Sequence, residues 1–213
     1  MAKKKKMMVS FVLDETGSMQ SVKGETISGF NEYIQTLNNE KSAENIRFTL
    51  TKFNSMKVEV VYDSVKLGKV AALDDDSYRP EAMTPLYDAI GKTIRSLEDK
   101  LEGKKPKALV VIQTDGHENH SKEFNRKSIF SLIDEKKKAG WTFAFLGADQ
   151  DAWLAGQELG IPKGNTMSYR SAETKNAFNL VARSSISYVI SGGDQTEAFF
   201  SDQDKKPTKK AKK

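Results

Sequence analysis

The 213-residue chain reads as a three-layer α/β fold, with a mostly parallel central sheet, one antiparallel edge strand and helices on both faces. Three observations predict it. Short, almost wholly apolar runs recur at Met7–Leu13, Ala108–Ile112 and Thr142–Leu146, as expected of strands buried on both faces. Segments with apolar residues at helical spacing lie between them, so strands and helices alternate along the chain. One pair of runs, Ile46–Phe53 and Val58–Tyr62, is joined by only a short polar link, which suits an antiparallel hairpin at a sheet edge.

The first strand, Met7–Leu13, stops at the polar turn Asp14-Glu15-Thr16-Gly17-Ser18. Met19–Asn38 follows as a helix, with Val22, Ile27, Phe30, Ile34 and Leu37 close to helical spacing. The hairpin turns at Asn54-Ser55. Residues 63–83 show no clear period and carry the acidic cluster Asp74–Asp76 and Pro80. Thr84-Pro85 then opens a helix to Leu101, with Thr84 as N-cap and Pro85 at the first helical position, where its missing N–H costs nothing. Leu86, Ile90, Ile94, Leu97 and Leu101 form its apolar stripe. Ala108–Ile112 is the second central strand and ends in Gln113-Thr114-Asp115-Gly116. Ile129–Lys138 is helical and Gly140 ends it. The third buried strand, Thr142–Leu146, ends in Gly147-Ala148-Asp149. Trp153–Leu159 is a further helix with Gly160 beyond its end, Met167–Tyr169 a short last strand, and Ala172–Ile190 the final helix.

Composition narrows the class. Hydrophobic residues make up 38% and charged residues 30%, as in soluble globular chains. No apolar run approaches the roughly 20 residues of a spanning helix. The stretch after Lys3–Lys6 is too short and too soon interrupted for a secretory signal, so the expected compartment is the cytoplasm. Cysteine is absent, which removes disulfides and thiolate metal ligands. The net charge of +5 hides an asymmetry: residues 7–204, with 24 basic and 29 acidic side chains, carry a formal −5, and ten lysines lie in the tails 1–6 and 205–213. One domain over 7–204 between two basic tails, the second expected to be disordered, is the organisation implied. Nucleic-acid contact by such tails would be sequence-blind and salt-dependent, and no aromatic residue interleaves with them for stacking.

In a parallel sheet the ligand site lies beyond the carboxyl ends of the strands, and three strands end in turns containing Asp14, Asp115 and Asp149. Asp14, Thr16 and Ser18 alternate in the first turn, so their side chains can converge. A carboxylate and two hydroxyls are hard oxygen ligands, suited to Mg²⁺, Mn²⁺ or Ca²⁺ and not to zinc. Thr84 can add a hydroxyl and Asp115 a second carboxylate. His117 and His120 could supply a transition-metal site or pH sensitivity, but they lack a third nitrogen or sulfur ligand nearby and read rather as solvated loop residues near the cation. Glu15, His117, Glu118 and Asp149 are candidates for the rim of a partner site, Glu15 and Glu118 as exposed charges. Asp149 and Asp151 suit turn formation and helix capping equally well. Asp88 is expected to hydrogen-bond near the site and not to bind metal directly.

These segments resemble a known family. Asp14-Glu15-Thr16-Gly17-Ser18-Met19 is similar to the first motif, D-x-[ST]-G-S-M, of the von Willebrand factor type A (vWA) domain. Thr84-Pro85-Leu86-Tyr87-Asp88-Ala89 resembles its threonine loop, and Thr114-Asp115-Gly116 with Glu118-Asn119 its third motif. The three come in the family's order, and the resemblance spans roughly residues 7–190. It implies a Rossmann-like fold with a metal-ion-dependent adhesion site, in which Asp14, Thr16, Ser18, Thr84 and Asp115 hold the cation, some directly and some through water, and an acidic group of a partner protein completes the coordination. Thr16 stands where serine is common, which keeps the hydroxyl. The segment Gly147–Ala152 looks most like cytoplasmic bacterial and phage members. The expected function is thus a non-catalytic, divalent-cation-dependent protein-binding module using Mg²⁺, with Mn²⁺ or Ca²⁺ as alternatives. Clustered aspartates also suit a metal-dependent phosphoester hydrolase, although no second-metal cluster, P-loop lysine or general base beyond the loop histidines accompanies them. A nucleic-acid-binding accessory protein acting through its lysine tails is the remaining alternative.

Overall fold

Strand β1 (Met7–Asp14) is buried along its whole length, and its alternation decides how the two faces of the sheet are covered. Val9, Phe11 and Leu13 enter one apolar layer; Met8 and Val12 enter the other. The computed structural model describes residues 6–101, 107–193 and 198–200, and the lysine tails, Lys6 apart, lie outside them. Beside β1 run β2 (Ile46–Phe53), β3 (Val58–Lys66), β4 (Ala108–Thr114), β5 (Thr142–Ala148) and β6 (Thr166–Tyr169), in the order β3-β2-β1-β4-β5-β6. Every pairing is parallel except β2 with β3, the antiparallel edge. The sheet is therefore the mostly parallel one that the apolar runs predict.

Helices α1 (Lys23–Asn38) and α5 (Thr174–Ile190) cover the Phe11 face. Phe11 stacks on Phe178 at 5.5 Å and meets Phe30 edge-on at 5.7 Å. Gly29 lets the two helices approach, since a Cβ there would stand 2.9 Å from the Phe178 ring. Helices α2 (Leu86–Glu98), α3 (Arg126–Lys138) and α4 (Ala152–Glu158) cover the other face, packing Ile90, Ile94, Ile129 and Ile133 against Val110, Ile112 and Phe143. Among the described residues no helix is long and apolar enough to cross a membrane.

Several ends differ from the periodicity. The turn after β1 winds as a 3-10 helix over Gly17–Val22 before α1 begins, which buries Met19 and Val22 while leaving Ser18 facing the neighbouring strand end. Strand β3 continues to Lys66, its alternation hidden by register shifts opposite Phe48, Leu50 and Thr51. Helix α2 starts at Leu86, so Pro85 is its N-cap and Thr84 makes no side-chain capping bond, contrary to expectation. The amides of Tyr87 and Asp88 are instead satisfied by the Glu118 carboxylate and the Ser121 hydroxyl. The helix ends at Glu98, three residues short of Leu101. A capping box of Asn125 and Ser128 starts α3 at Arg126. Residues 67–83, which show no period, form one 3-10 turn at Leu67–Lys69 and then an irregular strap leading to Thr84.

Candidate metal centre

Between β1 and β4 the chain connections leave the sheet in opposite directions, and this opens a crevice beyond the carboxyl ends of those two strands. Asp14 is the last residue of β1, and Asp115 directly follows β4. Asp14 is fully buried. One of its carboxylate oxygens accepts the Thr16 N–H at 2.8 Å, and the other accepts the Thr114 hydroxyl. The Ser18 hydroxyl donates to Asp115 Oδ1 at 2.6 Å and lies 3.2 Å from the Thr16 hydroxyl. A chain of oxygens thus runs from Asp14 through Thr16 and Ser18 to Asp115.

Thr84 comes against the loop after β4 from the strap. Its amide donates to Asn119 Oδ1 at 2.8 Å and its carbonyl accepts the Asn119 N–H at 3.0 Å, which fastens the Thr84 loop to the loop after β4. Glycine at position 116 permits the approach, since a Cβ there would stand 3.0 Å from the Thr84 hydroxyl. On the other flank the Gln150 amide donates to the Thr114 carbonyl at 3.1 Å.

The electrostatics are strained. Burial is the largest cause that pushes the Asp14 carboxyl up to about 6; the bonds from Thr114 and Thr16 oppose it, and the Asp115 charge adds to it. Asp115 is also raised, first by burial and then by the charge of Asp149, against the bond from Ser18. Among the described residues neither carboxylate is paired with a basic side chain. Nor do three His, Cys, Asp or Glu side chains cluster as a metal site there, so the histidine pair assembles no nitrogen-rich centre. Two uncompensated carboxylates, with the Thr16 and Ser18 hydroxyls between them and the Thr84 hydroxyl against Gly116, fit a hard divalent ion.

The rim residues divide. Glu15 is not an exposed rim charge: it is 3% exposed, and its carboxylate takes Lys52 Nζ at 2.8 Å and the Arg79 N–H at 2.7 Å. A buried lysine requires such a counterion. Glu118 is half-buried and also not free, accepting the Tyr87, His120 and Ser121 amides at 2.9, 2.8 and 2.7 Å and the Ser121 hydroxyl at 2.6 Å. It is an anion at the N-terminus of α2, where the helix dipole favours it. His117 is exposed, beside a small cavity of about 40 Å³ lined by Tyr87, Glu118, Gln150 and Glu158. Asp149 is exposed with φ of 50° and accepts from the amide and hydroxyl of Ser171. Asp151 caps α4, and Asp88 accepts the amides of Lys122, Glu123 and Phe124 at 2.9, 3.0 and 2.8 Å, the hydrogen-bonding role expected of it.

Sequence reasoning missed Tyr78, which is fully buried and donates its hydroxyl to the Asp14 carbonyl at 2.6 Å. Its one signal is that it is the sole aromatic residue in the stretch 63–83, directly after the acidic cluster Asp74–Asp76 and Ser77.

A family model for the von Willebrand factor type A domain matches residues 9–183. The chain belongs to the von Willebrand factor type A domain family. Among solved structures, this vWA domain is similar to proximal thread matrix protein 1 from the mussel byssus, solved with a zinc-occupied MIDAS motif (14% identity, TM-score 0.63, 84% of this chain and 47% of that one). It is similar to the pilus adhesin SpaC from Lactobacillus rhamnosus GG in an open conformation (14% identity, TM-score 0.65, 84% of this chain and 30% of that one). A third likeness is to the manganese-loaded TRAP protein of Plasmodium vivax (17% identity, TM-score 0.54, 81% of this chain and 72% of that one). At such identities the likeness is one of fold. The vWA chain spans less than half of the mussel protein and less than a third of the adhesin. No curated protein matches it.

Proposed function

We propose that this vWA domain is a divalent-cation-dependent protein-binding module and not an enzyme. Asp14, Thr16, Ser18, Thr84 and Asp115 would hold the ion, Mg²⁺ in the first place and Mn²⁺ or Ca²⁺ otherwise, and an acidic group of a partner protein would complete its coordination. Cytoplasmic residence, of the bacterial or phage kind that Gly147–Ala152 resembles, belongs to the same proposal, as does a domain bounded at residues 7 and 204.

The observation that carries the reading is the uncompensated carboxylate pair, bridged by the Thr16 and Ser18 hydroxyls at the switch point of the sheet. A buried carboxylate and a half-buried one beside it, with no basic partner, destabilise the fold they sit in unless a cation joins them. A bound dication would supply the positive charge that allows a third carboxylate, from outside, to approach. The chain's own residues do the rest: Asn119 and Gly116 hold Thr84 against the β4 loop, and Thr114 and the Thr16 amide orient Asp14. His117 and Asp149, both exposed, would touch what binds there.

The test pairs calorimetry with capture. Mg²⁺ or Mn²⁺ should be taken up with measurable heat by the wild-type chain and not by Asp14→Ala. A partner retained from host extract in Mg²⁺ should be released by EDTA and not retained by Asp14→Ala. Absence of metal uptake, or equal retention in EDTA, would rule the proposal out.

A further inference from the structure

The strap between β3 and α2 is irregular, yet its polar groups are closely engaged by the first loop of the site. Asn31 and Leu73 exchange two bonds at its start, at 2.9 and 2.7 Å. Further along, the Tyr78 hydroxyl donates to the Asp14 carbonyl at 2.6 Å, and the Glu81 N–H donates to the Glu15 carbonyl at 3.0 Å. The Gly17 N–H returns a bond to the Ala82 carbonyl, also at 3.0 Å. Between these, the Glu15 carboxylate accepts the Arg79 N–H at 2.7 Å and Lys52 Nζ at 2.8 Å, while Lys52 Nζ also donates to the Ser77 carbonyl. The strap ends at Met83, whose amide donates to the Ser55 hydroxyl at 3.0 Å, and the next residue is Thr84.

We infer that Tyr78 and the buried Glu15–Lys52 pair are positioning residues for the cation site, locking the strap onto the first loop so that Asp14 and Thr84 are held in place before an ion arrives. The inference rests on the metal-site reading above. Stability alone does not account for the pair. Both side chains are less than a tenth exposed, and burying two charges costs about what their attraction returns, so an apolar pair would stabilise the fold as well. What the pair adds is direction. Glu15 follows Asp14, so fixing the Glu15 carboxylate and the Asp14 carbonyl to the strap leaves the Asp14 carboxylate one orientation, toward Thr16 and Thr114. The strap then carries the constraint to Thr84, a donor from a different loop. A site assembled in advance does not spend binding energy on ordering its loops.

Mn²⁺ titration of the full chain, by calorimetry and by electron paramagnetic resonance of the free ion, tests this. Tyr78→Phe removes one hydroxyl and keeps the ring in its pocket. The double variant Glu15→Gln/Lys52→Met removes the pair and leaves no bare charge, which keeps the test available if the tyrosine variant fails to fold. Each should weaken Mn²⁺ binding by about tenfold or more, the loss typical when groups supporting metal ligands are removed. In EDTA, amide exchange across residues 73–83 should rise while the core strands stay protected, a change that a general loss of stability would not confine to the strap. Wild-type Mn²⁺ affinity in both variants overturns the inference and leaves the metal site standing, as does a loss of affinity that only tracks global unfolding. Failure of the wild-type chain to bind Mn²⁺ overturns the inference together with the reading beneath it.

Discussion

Asp14 and Asp149 both close a buried parallel strand at the same end of one sheet, and their surroundings are opposite. Asp14 is fully buried among Thr16, Thr114 and Tyr78, with its carboxyl raised by desolvation. Asp149 is exposed, turns the backbone through φ of 50° and is satisfied by Ser171. Aspartates at strand ends follow from topology and from turn chemistry, so their presence alone says little. The difference in burial says more. A solvated aspartate needs no partner, whereas a buried one without a counter-charge is a standing cost that only a ligand or a proton offsets.

The sharpest way to break this comparison is to remove each carboxylate. Asp14→Ala should lower Mn²⁺ affinity by more than about a hundredfold, beyond the loss seen for supporting groups, and calorimetry reads it directly. Asp115→Ala should do the same. If Asp149→Ala proved the more damaging change, the cation would belong to the exposed half of the rim.

The next effect concerns the metal-free protein. The Asp14 carboxyl stands near 6 in the fold against 3.8 as its ordinary value, so the folded state keeps this proton after the unfolded chain has released it. The stability linked to Asp14 is therefore full below pH 3.8, falls as pH rises to about 6 and is level above that. In EDTA above neutral pH, Asp14→Asn should raise unfolding free energy by up to about 3 kcal/mol, and the gain should vanish at acid pH. Urea denaturation of the two proteins across pH measures the difference, which cancels the opposite trend of lowered carboxylates such as Glu59. A wild-type chain as stable as Asp14→Asn at both ends of the range would show that the buried carboxylate carries no cost. Smaller again is Glu118→Ala, which removes the anion bonded to the Tyr87 amide and should cost about 1–2 kcal/mol of stability.

Glu118 also shows where sequence reading stops. The strands β1, β4 and β5 were legible because burial on both faces leaves runs that are almost wholly apolar, and Asp14, Thr16 and Ser18 were legible because a short turn fixes their relative placement. The fates of Glu15 and Glu118 were not. Both are glutamates in polar turns beside the same crevice. One is buried because Lys52, set beside Leu13 by the pairing of β1 with β2, turns its ammonium inward. The other takes the place of the cap expected of Thr84, by a bond to the Tyr87 amide across 31 residues. Each role is decided by a contact between distant segments, and local periodicity carries no record of such contacts. The strap is the extreme case: its conformation is held by Asn31, Asp14, Glu15 and Lys52, none of which lies within it.

The smallest predicted effect sharpens the comparison most finely. The Asp149 charge contributes to raising the Asp115 carboxyl, so it acts on the site through space although it is solvated. A negative charge near a cation site attracts the ion, and Asp149→Asn should therefore weaken Mn²⁺ binding. Because the side chain is exposed, water and salt screen that attraction. The loss should stay below about fivefold at low ionic strength and shrink toward nothing in about 0.5 M salt, where the screening length is only a few ångströms. Asp14→Asn should behave differently under the same change, since a buried carboxylate is screened little and the loss it causes should persist at high salt. A salt-insensitive loss at Asp149 would instead mean that this residue contacts the ion or its water, and that the two halves of the rim are not as unlike as their burial makes them.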